Sequence, residues 1–140
     1  MNSFKLEEIY GDGYERWAKV TECSSNIENL VHFLEYDEYL ENGNNTGKRR
    51  KGDIINGNIK IDLVTKYKLI DNAKSGFVQS IDNSSNITAI GKVKEIEDSD
   101  TLICSINNLG ENIMVEFEND IDIKVGETLE ISGSLELEIE

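Results

Sequence analysis

From Leu129 to the end, apolar and polar residues alternate without a break. Leu129, Ile131, Gly133, Leu135, Leu137 and Ile139 point one way; Glu130, Ser132, Ser134, Glu136, Glu138 and Glu140 point the other. A period of two is the signature of a strand buried on one face, and Gly133 in its middle predicts a bulge or sharp bend. The same rhythm runs through Ile59, Ile61 and Leu63, through Ile87, Ala89, Gly91 and Val93, through Leu102, Cys104 and Ile106, and through Ile113, Val115 and Phe117. Turn signals separate these runs at Asp98-Ser99-Asp100, Asn107-Asn108-Leu109-Gly110 and Val125-Gly126-Glu127. The expected core therefore includes Leu63, Val93, Val115, Phe117, Leu129, Ile131, Leu135 and Leu137.

The first third reads less plainly. Residues 4–10 and 14–23 flank Gly11-Asp12-Gly13, which predicts a hairpin, although Trp17 and Val20 also fit a short helix. In 26–41, Ile27, Leu30, Val31 and Leu34 have helical spacing with Asn26 as a cap, while the alternation around His32 favours a strand at the centre. Residues 42–53 are a Gly- and Asn-rich loop ending in Lys48, Arg49, Arg50 and Lys51. The chain as a whole predicts one mainly β domain over 1–140: an acidic hairpin and helix-or-strand region in 1–47, then a β-rich region in 48–140. It should be a small antiparallel barrel or sandwich with at most two short helices. Residues 87–139 resemble part of an OB-type barrel in the order of their segments.

Charge changes this picture. Residues 1–47 hold 10 acids and 3 bases, residues 48–94 hold 10 bases and 4 acids, and residues 95–140 hold 14 acids and one base. The overall charge of −14 opposes binding to nucleic acid or an anionic membrane through the whole surface and favours a cationic partner. OB-type barrels often bind single-stranded nucleic acid through a basic groove with stacked aromatics, which makes a nucleic-acid-binding or adaptor domain the alternative function. Here 87–139 carries one aromatic, Phe117.

Catalytic and metal signatures fail on spacing. His32 is the one histidine, with no Ser or Cys beside it in sequence. Cys23 and Cys104 lie far apart, and with His32 they fall short of a zinc set. Glu116, Glu118, Asp120 and Asp122 alternate, but the calcium-loop pattern breaks at Lys124. No Gly-rich segment has the phosphate-loop spacing. The expectation is a protein without catalysis, cofactor or metal. Two isolated cysteines, Glu7 and Glu8 where an export signal would be apolar, and no membrane-length apolar run predict a cytoplasmic location.

In size, acidity, lack of an export signal and acidic segments at 95–100, 116–122 and 130–140, the chain resembles the small immunity proteins of contact-dependent growth inhibition, a class of bacterial toxin–immunity system. The resemblance implies binding and neutralising a cognate toxin domain, often a basic nuclease. The residues placed at that interface are Glu97, Asp98, Asp100, Glu116, Glu118, Asp120 and Asp122.

Overall fold

In a computed structural model, residues 2–12, 14–34, 50–71, 74–79 and 84–139 are described, and all regular structure among them is β. The strands are β1 (Asn2–Asp12), β2 (Glu15–Glu22), β3 (Glu28–Leu34), β4 (Ile54–Leu69), β5 (Gly76–Val78), β6 (Asn86–Asp98), β7 (Thr101–Ile106), β8 (Gly110–Phe117) and β9 (Thr128–Ile139). They form one mixed sheet in the order β1-β2-β3-β9-β4-β8-β7-β6-β5, closed on itself by further β1–β4 and β9–β6 pairings.

The closures make two stacked tiers. β4 and β9 pair antiparallel along almost their whole length, from Gly57↔Ile139 to Leu69↔Leu129. In the lower tier, the outer edge of β9 pairs with β6 over Asn86–Lys92, and β4 lies parallel to β8 around Ile61↔Val115. The β6-β7-β8 meander completes a five-stranded ring. In the upper tier, β4 pairs with β1 over Ile54–Gly57, and β9 meets β3 in parallel at His32↔Glu136. The β1-β2-β3 meander closes that ring. Closure leaves few free sheet edges to recruit another chain.

One core fills both tiers, from Phe4, Leu6, Val20 and Val31 above to Val93, Leu102, Val115 and Leu129 below. The inward positions are those the alternation marked, because each tier buries only one face of its strands. Residues 87–139 supply four walls of the lower barrel. The fifth, parallel to β8, is β4. An OB-type barrel takes that strand from the end of its sequence, whereas here it precedes the other four. The doubtful segment at 26–41 is a strand over Glu28–Leu34, and 35–41 lie outside the described residues.

Leu63 corrects the expected core. It is 56% exposed, with φ at +57°. The register jumps between Asp62↔Ser134 and Lys66↔Ser132, so three residues of β4 face Gly133 alone. This bulge breaks the period of two, turns Leu63 outward and returns Val64 to the core. Gly133 is required opposite it: a Cβ there would sit 2.6 Å from the Asp62 carbonyl oxygen and 2.9 Å from Val64 Cγ2. The bend expected at Gly133 is thus made by the partner strand.

Gly57 has a comparable constraint where β4 crosses β9, since a Cβ would collide with the Glu138 carbonyl oxygen, a backbone atom that cannot swing away. Gly76 in β5 has open space at that position. Gly57→Ala is therefore expected to cost about 1–3 kcal/mol. Gly76→Ala should change stability by less than about 1 kcal/mol. Denaturant melts of the two variants check the contrast.

Candidate functional site

Two connections at the lower end of the barrel are acidic. The β6–β7 turn carries Asp98 and Asp100, with Glu97 just before it, and the connection after β8 carries Glu118, Asp120 and Asp122. Backbone bonds tie the two segments together: Phe117 N–H donates to the Asp100 carbonyl at 2.8 Å, and Ile121 N–H to the Ser99 carbonyl at 2.9 Å. Glu118 N–H donates to the Val64 carbonyl at 2.9 Å, and Asp122 N–H to the Tyr67 hydroxyl at 3.4 Å, fixing the second segment to β4. Ile123 is buried between these anchors.

Six of the seven expected residues thus share one rim. Asp98 Oδ1 accepts the Ser99 N–H at 2.7 Å, and Asp100 Oδ1 accepts the Thr101 hydroxyl at 3.0 Å. These bonds hold the turn and leave a net negative charge facing water. Lys66, Lys68 and Lys124 belong to the same end, yet among the described residues no ion pair engages any of the six acids.

Glu116 stands apart. It lies on the barrel wall, 3.2 Å from Lys60 Nζ, which also bonds Glu138 at 2.8 Å. Burial works against the Lys60 ammonium, but its bonds to Glu138 and Glu116 outweigh that and hold the group above its ordinary range. Lys60 thereby bridges β9 and β8 across β4.

A second polar cluster, which sequence reasoning placed only as a lone structural histidine, lies on the outer face of the upper tier. His32 Nδ1 is 2.7 Å from Glu136 Oε1, and Nε2 is 3.3 Å from Glu15 Oε1. The Trp17 ring centroid is 5.2 Å from the imidazole. Glu136 also accepts the Ser134 hydroxyl at 2.8 Å, and Ser134 meets Ser85 at 2.7 Å. The sequence could not show this, because Glu136 is 104 positions from His32. Ser134 approaches the carboxylate rather than the imidazole, so the cluster lacks the nucleophile–base contact of a hydrolase. Recesses of about 350 Å³ beside Leu63 and Gly133, and of about 630 Å³ between the β2–β3 and β7–β8 turns, include neither His32 nor any rim acid.

Among the described residues, no three His, Cys, Asp or Glu side chains gather as a metal site, and no helix is long and apolar enough to cross a membrane. Of the basic cluster, Arg50 and Lys51 are exposed, while Lys48 and Arg49 lie outside the described residues. No protein family, curated protein or solved structure matches this chain.

Both cysteines are free. Cys104 is wholly buried in the lower barrel, and that burial pushes its thiol up to about 12, whereas Cys23 is exposed. A thiol reagent at neutral pH is therefore expected to label Cys23 in the native protein and Cys104 only after denaturation. Two fast-reacting thiols in the native state would contradict the burial of Cys104.

Proposed function

We propose that this chain is a non-catalytic inhibitor of the immunity type, which binds and neutralises a basic protein toxin domain, a nuclease in the first instance, through its acidic lower rim. The observation that carries this reading is the gathering of Glu97, Asp98, Asp100, Glu118, Asp120 and Asp122 on two tied segments without an ion pair among them. Like charges held together repel one another and gain nothing for the fold. A cationic partner turns that repulsion into attraction. It also offers these carboxylates cationic donors, which no ion pair among the described residues supplies. The same rim repels phosphate, which weighs against the nucleic-acid alternative. Exposed Ile96 and Val125 belong to the same end and offer apolar area beside the acids, as a partner interface needs at its centre.

Co-expression with a basic toxin domain encoded beside this chain is expected to restore growth and yield a stable complex. Reversing Asp98, Asp100, Asp120 and Asp122 to Lys should slow association at least about tenfold at low salt, with a smaller difference at high salt. Stopped-flow kinetics at two salt concentrations read this directly. An unchanged association rate and affinity would overturn the acidic-rim reading. Failure of the unaltered chain to bind or protect would overturn the inhibitor reading itself.

A further inference from the structure

A strand in a closed barrel covers one of its faces and uses both of its edges; the lower end of β4 does neither. Its last five residues, 65–69, are all exposed. Tyr67 lies opposite Ile131, and Leu69 opposite Leu129. Residues facing each other across an antiparallel pair share a side of the sheet. Ile131 and Leu129 are buried, yet Tyr67 is 39% exposed and Leu69 48%. The core side of β4 is therefore uncovered here. Lys66 and Lys68, on the other side, are exposed as well.

The edge of β4 is open over the same stretch. β8 accompanies β4 no farther than Val64↔Phe117, where Glu118 N–H donates to the Val64 carbonyl at 2.9 Å. Beyond that point the connection after β8 meets β4 through a side chain, the Tyr67 hydroxyl that accepts the Asp122 N–H. On the opposite edge Ile70 N–H donates to the Thr128 carbonyl of β9 at 3.0 Å. Lys68 and Lys66 have the same phase in that ladder, opposite Glu130 and Ser132. Backbone groups alternate between the two edges of a strand. Tyr67 and Leu69 therefore turn their N–H and C=O away from β9, to a side where no strand stands among the described residues. An unpaired edge beside a bare apolar face is a template for an extended chain.

The charges choose the occupant. Two-fold pairing with a second copy would set Lys66 and Lys68 against their own counterparts and bring two acid rims together, which like-charge repulsion opposes. The complementary strand instead alternates apolar residues, which cover Tyr67 and Leu69, with Asp or Glu, which meet Lys66 and Lys68. Bases flanking it reach Glu118, Asp120 and Asp122 on the neighbouring connection. We propose that the open edge of β4 over 66–69 receives such a segment of the cationic partner as an added strand, paired through the backbone groups of Tyr67 and Leu69. The proposal rests on the acid-rim reading above: the rim draws the basic flanks in, and the added strand fixes register and slows release.

The probe is a synthetic peptide built to this pattern, Lys-Lys-Val-Glu-Val-Glu-Val-Lys-Lys, with a scrambled peptide of the same composition as the control. Amide NMR of the unaltered full chain reads the result. Without peptide, the Tyr67 and Leu69 amides should exchange with water faster than those of Lys66 and Lys68, which are bonded to β9. At saturating peptide the Tyr67 and Leu69 amides should shift and their exchange slow at least about tenfold, as for a backbone bond formed. The scrambled peptide should have less effect. Leu69→Pro removes the outward N–H and spares the ladder with β9, so it should weaken peptide binding about tenfold. The exchange measurement on the unaltered chain gives the answer should that variant fail to fold. Shifts confined to the acid rim, with both amides still exchanging freely, overturn strand addition and leave the rim reading standing. No shift anywhere also overturns strand addition, and the association kinetics with the toxin domain then decide the rim reading separately.

Discussion

The long ladder between β4 and β9 carries both tiers, because each of these strands presents one edge to the upper meander and the same edge, farther along, to the lower one. Two five-stranded rings are closed with eight strands, because β4 and β9 serve in both; β5 lies outside the rings on the edge of β6. A wall of that height must twist, and the β4 bulge that faces Gly133 bends the strand and sharpens the twist at that place. The strained Leu63 backbone, with φ at +57° and the Asp62 carboxylate accepting its N–H at 2.7 Å, is the local cost.

Charge is distributed in keeping with that architecture. On the middle of the outer wall, Lys60 is paired with Glu138 and Glu116, and His32 lies against Glu136 and Glu15. Such contacts cross strands and fasten the sheet laterally, although partly exposed pairs add little stability one at a time. At the lower end the acids have no such partners. The two connections there are tied by backbone bonds, with Asp98 and Asp100 bracing their own turn, so no ion pair is needed to close the barrel. This division between fastening charges and free ones separates the residues that hold the fold from those open to a partner.

Much of the fold is legible in the sequence because each tier buries one face, and a one-sided strand writes its burial as alternation. Leu129, Ile131, Leu135, Leu137, Val115 and Phe117 are buried as the pattern requires. Leu63 departs from the pattern because a bulge adds residues without leaving a mark in hydropathy; only Gly133, on the partner strand, hints at it. The contribution of β4 to the lower barrel is hidden for a different reason, since periodicity reports which face a strand buries and is silent on its neighbours. The acid rim is legible as a charge excess but not as a place. Asp100 meets Phe117, and Ser99 meets Ile121, through backbone bonds that no local pattern encodes, and Glu116, on the same alternating stretch, faces Lys60 on the barrel wall.

The shared wall also governs how the chain can be assembled. Among the described strands β9 is the last in sequence, yet it closes the tier built from β1, β2 and β3. The β1-β2-β3 meander can form its own hairpins early, since these contacts are local. Its ring stays open until a strand about a hundred residues later reaches Glu136. During synthesis on the ribosome, therefore, neither ring can close before β9 has emerged, and both wait for that one strand. Any interruption before β9 leaves two incomplete sheets whose edges are unprotected, and such edges are the ones that pair with other chains.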